Sequence, residues 1–210
     1  LFTSQGCSSC PPADALLAEL AGRRDVVAIA YHVTYWDYLG WKDPFATAWG
    51  TGRQRAYVRA LGLRGPYTPQ MVVDGGTDVV GSRRRAVAAA LADSRASAAA
   101  RVRAGLSRDP ATGDLLVSLP GHPLDRAAEI LLVRYAGPRK TEVLRGENGG
   151  RVLENTRIAR ELRRLGAWTG EPRQLRVPAD PDAAGGYALI LQEPGQGRIL
   201  GAAQLAPPDP

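Results

Sequence analysis

The chain has 210 residues, 44% hydrophobic and 23% charged, a composition typical of a globular protein with a substantial core. Its net charge is +6, and its one dense basic run, residues 83–85, lacks the interleaved aromatic residues of single-strand nucleic-acid binders. We therefore expect no nucleic-acid partner, and no apolar run approaches the length of a membrane span.

The two cysteines of the chain, Cys7 and Cys10, form a Cys-x-x-Cys motif in the opening segment LFTSQGCSSCPPAD. This segment predicts the end of a strand, a short loop, and a helix that begins at Pro11 or Pro12 and ends at Gly22. A helix N-terminus offers unpaired N–H groups and a positive dipole end, both of which stabilise a thiolate. The motif is therefore suited to thiol–disulfide exchange.

An apolar run at residues 26–33 predicts a strand buried on both faces, which completes a parallel strand–helix–strand unit. Sites gather at the carboxyl ends of such strands, so we expect His32 near the cysteine loop. Seven of the thirteen aromatic residues lie between Tyr31 and Trp49. They predict either a local hydrophobic core under a long connection or a surface that binds a peptide near the cysteines, and both can be true at once.

Residues 47–61 predict a second helix, with Arg53 largely off its apolar face. Thr68 and Pro69 then precede two short apolar strands around an Asp-Gly-Gly turn at residues 74–76, which is a hairpin signal. An alanine-rich helix is expected to follow and to run to about Ala100.

This order of elements resembles the thioredoxin superfamily over roughly the first hundred residues. The resemblance implies an α/β thioredoxin-like domain at residues 1–100, with the Cys-x-x-Cys motif at its strand-to-helix turn and an aromatic insertion at about residues 34–49. It also implies a cis Thr68–Pro69 bond that faces the disulfide. The backbone of Thr68 would then pair with an extended peptide.

A closer resemblance is to a family of secreted bacterial proteins of unknown function, DUF1223. It rests on the segments LFTSQGCSSCPPAD, YHVTYWDYLGWKDPF, YTPQMVVDG and, in the second half, RGENGGR. The resemblance implies an exported protein, periplasmic or secreted, with an all-β part appended to the thioredoxin-like domain.

Residues 101–210 predict an antiparallel β subdomain packed on the first domain, because short apolar or alternating runs are separated there by Gly, Pro, Asn and Asp. The predicted strands are 115–119, 129–135, 141–144, 151–156, 175–177, 187–192 and 199–205. We expect this subdomain to restrict access to the cysteine site or to bind a partner.

The predicted function is thiol–disulfide exchange with a protein or peptide substrate, supported by a redox partner protein and by no cofactor other than the disulfide. Cys7, as the more N-terminal and more exposed cysteine, would attack, and Cys10 would resolve the mixed disulfide. His32 would stabilise the thiolate or relay a proton. The remaining predicted site residues are Thr68 and Pro69 beside the disulfide, and Tyr35, Trp36 and Tyr67 for substrate binding.

Two acidic residues near the motif have predicted roles. Asp14, in the first turn of the predicted helix, complements the helix dipole. Asp37 is a candidate acid for the proton of the resolving thiol, or a residue that turns the aromatic loop.

Two other functional classes stay open. Cys7, Cys10 and His32 form a soft ligand set suited to Cu(I), which predicts a copper-binding or copper-delivery protein. A third class is a non-enzymatic binding module in which the disulfide is a staple. A staple across so short a loop constrains the unfolded chain little, which argues against a purely structural purpose.

Overall fold

The computed structural model describes residues 1–96, 100–180 and 185–206. A mixed α/β region comes first and β-rich sheets follow, as the sequence predicts. The helices are α1 (Pro11–Ala21), α2 (Ala48–Ala60) and α3 (Arg84–Ala96). The strands of the first half are β1 (Phe2–Thr3), β2 (Tyr31–His32), β3 (Gln70–Val73) and β4 (Thr77–Val80). The predicted end of the third helix, near residue 100, lies partly outside the described residues.

The first-half sheet has the order β2-β1-β3-β4, with β1 parallel to β2 and antiparallel to β3. The β3–β4 hairpin turns through Asp74 and Gly75, which both have positive φ. A Cβ on Gly75 would lie 2.3 Å from the carbonyl oxygen of Gly197. Only glycine at this position therefore lets the turn lie against the second half of the chain.

The strands of the second half are, in chain order, β5 (Gly105–Arg108), β6 (Leu115–Leu119), β7 (Ala128–Ala136), β8 (Arg139–Val143), β9 (Arg151–Asn155), β10 (Ile158–Trp168), β11 (Arg173–Val177), β12 (Gly185–Gln192) and β13 (Ile199–Leu205). They form a four-stranded sheet, β10-β7-β12-β13, a three-stranded sheet, β11-β6-β5, and the β8–β9 hairpin, with antiparallel pairing throughout. All seven predicted strands are present.

The four-stranded sheet is covered on both faces, which explains the continuous apolar sequence of β7. Leu131, Val133 and Tyr135 pack against Phe2 and Tyr31 of the first half. Because side chains alternate along a strand, the intervening residues of β7 face the three-stranded sheet instead. The two halves therefore share a hydrophobic cluster, and the division near residue 100 stays a prediction.

Three expectations differ from the structure. The predicted strand at residues 26–33 is paired only at Tyr31–His32, with an isolated bridge from Ala30 to Ile158, because its neighbour β1 pairs through Phe2 and Thr3 alone. Strands β5 and β10 were not predicted. Arg53, expected largely off the apolar face of α2, is buried.

Arg53 is buried because the second half of the chain covers α2. Its guanidinium lies over the rings of Tyr31 and Tyr57 and donates a 2.7 Å hydrogen bond to Gln192 of β12. None of the helices in the described part of the chain is long and apolar enough to cross a membrane.

Candidate functional site

The cysteine loop connects β1 to α1 and carries a disulfide between Cys7 and Cys10, whose Cα atoms are 5.4 Å apart. Cys10 is the N-cap of α1, and its carbonyl oxygen accepts hydrogen bonds from the N–H groups of Ala13 and Asp14. Pro11 and Pro12 form the first turn, where a missing N–H costs no helical hydrogen bond. The predicted position of the motif at the start of the helix is therefore confirmed.

Both cysteines are buried, with exposed fractions of 1% for Cys7 and 0% for Cys10, so exposure scarcely distinguishes the two. The loop between them is covered from the second half of the chain. The Asn148 side-chain amide donates hydrogen bonds of 2.9 and 3.0 Å to the carbonyl oxygens of Gln5 and Cys7. The backbone N–H of Ser8 donates to the carboxylate of Glu147 at 3.0 Å, and hydrogen bonds from Ser8 lower the pKa of Glu147.

Glu147 and Asn148 lie in the turn between β8 and β9, so this hairpin covers the cysteine loop. Ser8 and Ser9 remain exposed, and the hydroxyl of Ser9 lies 3.4 Å from the sulfur of Cys7. These two serines are therefore the exposed part of the cysteine loop, beside the β8–β9 turn. The turn lies in the segment RGENGGR. This segment carries part of the family resemblance, but nothing in the sequence indicates that it lies beside the cysteines.

The segment before the cysteines is fixed through Gln5. Its backbone N–H donates to Asp43 at 2.8 Å, and its side chain donates to Asn155 at 2.9 Å and accepts from the indole of Trp41 at 3.1 Å. Gln5 is thus bound to the aromatic loop on one side and to β9 on the other. The cysteine loop is held rigidly because both parts of the chain bind it.

His32 lies in β2 beside Thr3 and is buried, with its Nδ1 2.7 Å from the carboxylate of Asp43. The imidazole ring packs edge-to-face against Phe45, with 5.4 Å between the ring centroids. Burial alone would raise the pKa of Asp43, but the hydrogen bond with His32 and those from the N–H groups of Gln5 and Phe45 lower it below its ordinary value. The hydrogen bond with Asp43 therefore fixes the orientation of the His32 ring.

The Nε2 atom of His32 is also buried and has no hydrogen-bond partner among the described residues. Neither ring nitrogen therefore hydrogen-bonds a cysteine sulfur in this part of the chain. The described residues also contain no cluster of three or more His, Cys, Asp or Glu side chains arranged to hold a metal ion. The copper alternative, with Cys7, Cys10 and His32 as ligands, stays a prediction.

The Thr68–Pro69 peptide bond is cis, as the thioredoxin resemblance implies. Pro69 lies close to the start of α1: a Cβ on Gly81 would be 3.5 Å from the Cβ of Pro69 and 3.2 Å from that of Ala13. Gly81 therefore lies between Pro69 and α1, and Pro69 is close to the helix that begins at Cys10. A Cβ at position 81 would also lie 3.0 Å from the Cδ1 of Leu1, so a larger residue there requires its neighbours to shift.

The three predicted substrate-binding residues, Tyr35, Trp36 and Tyr67, are all partly buried. The Trp36 indole donates a 2.7 Å hydrogen bond to the hydroxyl of Thr68, and a Cβ on Gly6 would lie 3.0 Å from the Cβ of Trp36. Trp36 thus connects the cysteine loop to the cis-proline loop. Tyr67 instead donates its hydroxyl to Asp78 of β4 at 2.6 Å.

The aromatic loop has one strongly exposed aromatic side chain, that of Tyr38, with 78% of its surface accessible. Asp37, at the start of a short 3-10 turn (Asp37–Leu39), accepts a hydrogen bond from the N–H of Asp43 at 3.3 Å. Asp37 therefore turns this loop, which is one of the two roles predicted for it.

Asp14, predicted only to complement the helix dipole, is a buried carboxyl on α1 one helical turn after Cys10. Burial raises its pKa to about 7, although the nearby His32 charge opposes that shift. A cavity of about 370 Å³ lies elsewhere, lined by Leu17, Leu20 and Leu91 among others, and neither cysteine lines it.

Comparisons with known proteins show the family of the chain and one similar solved structure. A family profile described as "Protein of unknown function (DUF1223)" matches residues 1–192. A crystal structure of a structural-genomics target from Agrobacterium tumefaciens is similar, with 31% sequence identity and a TM-score of 0.85, over 98% of this chain and 91% of that one. No curated protein matches the chain.

Proposed function

The chain belongs to the DUF1223 family, and we propose that it is a thiol–disulfide oxidoreductase that exchanges its Cys7–Cys10 disulfide with a protein or peptide thiol. The observation that carries the proposal is the disulfide at the N-terminus of α1, with the cis Thr68–Pro69 loop beside that helix. We also propose that the first half is a thioredoxin-like domain, since it combines these features with the β2-β1-β3-β4 sheet.

The short span of the disulfide supports exchange over a structural role. The two cysteines are separated by three positions, so the bond closes a very small loop and removes little entropy from the unfolded chain. A pair at this spacing can instead release a mixed disulfide, because the second sulfur is already within reach of the first. The Ser9 hydroxyl next to the Cys7 sulfur favours a thiolate there, and the dipole of α1 acts in the same direction, although Pro11 and Pro12 supply no N–H donors.

The surroundings of the disulfide suggest where a substrate binds. Trp36 and Thr68 are hydrogen-bonded to each other, and Trp36 packs against the cysteine loop at Gly6. We assign the substrate surface to Tyr35, Trp36, Tyr67 and the backbone of Thr68, with Ser8 and Ser9 at its edge. A disulfide is retained in oxidising compartments, which supports an exported protein, periplasmic or secreted, served by a redox partner protein there.

A trapping experiment tests the proposal. In Cys10→Ser, Cys7 can attack a disulfide but nothing resolves the product, so the reduced variant is expected to accumulate a mixed disulfide with a disulfide-bonded peptide. The adduct is detected by mass and removed by dithiothreitol. Cys7→Ser is the matched control, because it keeps one thiol at the same loop but lacks the proposed nucleophile, and it is expected to form little adduct. If Cys10→Ser forms no adduct, or both variants form it equally, Cys7 is not an exchange nucleophile.

A further inference from the structure

A buried polar site lies between α1 and the sheet, on the side of the disulfide. Leu1 and Ala30 pack against the leucines of α1. Side chains two residues apart on a strand point to the same face, so Thr3 and His32 also face α1, and they are register partners across β1 and β2. Both are buried. The sheet therefore presents polar groups to the first turn of α1, where the cysteine motif ends.

Asp14 is the residue of α1 that shares this site. Residues four apart on a helix lie one above the other on the same face, and Asp14 follows Cys10 by four; its N–H donates to the Cys10 carbonyl at 3.1 Å. Cys10 and Asp14 are both buried, and Asp14 interacts with Thr3 and His32 of the sheet. A carboxyl is thus placed one helical turn from the sulfur that must act as the resolving nucleophile.

The imidazole of His32 has an orientation set by its other partner. Asp43 binds Nδ1, which leaves Nε2 buried and without a hydrogen-bond partner among the described residues. A buried polar atom left unpaired is costly, so the Nε2 atom is a further polar group open to a hydrogen bond within this site. His32 and Asp43 both act electrostatically on Asp14, so the three side chains form one group of titratable residues between α1 and the sheet.

We propose that Asp14 is the general base and acid of the exchange reaction, acting on Cys10, with the His32–Asp43 pair positioned to set its charge; the inference rests on the proposed function. When a substrate disulfide is reduced, Cys7 first forms a mixed disulfide with it. Asp14 then takes the proton of the Cys10 thiol. The Cys10 thiolate attacks the Cys7 sulfur, forms the Cys7–Cys10 bond and releases the second substrate sulfur as a thiolate, which takes up a proton. Two electrons pass from the dithiol to the substrate disulfide.

The electrostatics of the site support this role. Burial raises the pKa of Asp14 to about 7, so the group is available in both protonation states near neutral pH. The ionisable side chains that act on it are His32, which lowers its pKa, and Asp43, which raises it. Asp37, in contrast, turns the aromatic loop, which leaves Asp14 as the acid one helical turn from Cys10.

The test follows the two chemical steps separately. The reduced protein is mixed with a chromogenic aromatic disulfide, whose first released thiol reports the attack by Cys7 and whose second reports resolution by Cys10. In Asp14→Asn the first phase is expected to be unchanged, and the second to be roughly a hundredfold slower at pH 7, the lower end for a positioned acid–base group. The deficit should shrink at high pH, where the Cys10 thiol ionises without help. Glu19→Gln removes an exposed acid from the same helix and should leave both phases unchanged.

Each outcome separates the inference from the function it rests on. If the wild-type protein releases no aromatic thiol, the exchange function fails whatever Asp14 does. If wild type shows both phases and Asp14→Asn matches it at every pH, exchange stands and the role of Asp14 is refuted. Should Asp14→Asn not fold, the rate of the second phase is measured against pH in wild type and in Asp14→Glu. An inflection near pH 7 that Asp14→Glu shifts supports the role of Asp14. A pH profile set only by ionisation of the thiols overturns it.

Discussion

Replacing Cys7 with serine is expected to abolish catalysed reduction of insulin by dithiothreitol, down to the uncatalysed rate. A serine hydroxyl cannot form the mixed disulfide through which exchange proceeds. We infer that Cys7 rather than Cys10 is the nucleophile for a reason other than exposure, since both are buried. The Ser9 hydroxyl lies 3.4 Å from the Cys7 sulfur and is placed to stabilise its thiolate, whereas Cys10 caps the helix beside Asp14.

The folded state should survive this change. Loss of a disulfide that closes so short a loop costs about 2 kcal/mol on the chain-entropy relation, less than a typical domain's stability. Ser8→Ala is the matched control: it changes the residue after Cys7, keeps both thiols, and should retain most of the wild-type rate. Insulin reduction by folded Cys7→Ser at the wild-type rate would refute the exchange mechanism.

Asp43→Ala should produce the largest loss of stability of any single side-chain truncation in the site, about 3–5 kcal/mol. The Asp43 carboxylate accepts hydrogen bonds from His32 Nδ1 and from the N–H groups of Gln5 and Phe45. All of these groups are at least partly buried, so truncation leaves donors without partners. The free energy of unfolding is measured by urea denaturation. Asp37→Ala, which removes an acid with a single 3.3 Å hydrogen bond from the same loop, should cost under about 1 kcal/mol.

The pH dependence gives an independent check of the same contacts. The folded-state pKa of Asp43 is lowered, so its stabilising contribution is present above its ordinary value of 3.8 and is lost as the pH falls through the folded pKa. Stability of Asp43→Ala should therefore fall less on acidification than that of wild type. An Asp43→Ala protein within 1 kcal/mol of wild type would contradict the account of this network.

Local sequence patterns predicted the parts of the fold that depend on local chemistry. The helix start at Pro11, its end before Gly22 and the turn at Asp74 and Gly75 follow from proline, glycine and turn chemistry, and all are present. β10 was missed because Ile158, Leu162 and Leu165 recur at helical spacing among arginines. Pairing of β10 along the whole of β7 overrides that local pattern.

The candidate site was only partly predictable for a similar reason. The cysteine pair and the cis proline carry short motifs, but the groups that hold and cover the cysteine loop come from far along the chain. Asn148 binds carbonyl groups 141 and 143 residues away, and Asn155 binds Gln5 across 150 residues. Asp14 was assigned to the helix dipole because nothing in its spacing shows that the face carrying it packs against His32 and Thr3.

The redox equilibrium of the Cys7–Cys10 pair with glutathione, in metal-free buffer, tests the central claim most directly. The protein is equilibrated at a series of glutathione ratios, quenched with an alkylating agent and counted for free thiols by mass. Exchange predicts a single two-electron transition at a potential within roughly −270 to −120 mV, the range of working disulfide exchangers. A pair that stays fully oxidised across all of these buffers, and is reduced only when the chain is unfolded, would contradict the claim and make the disulfide a structural bond.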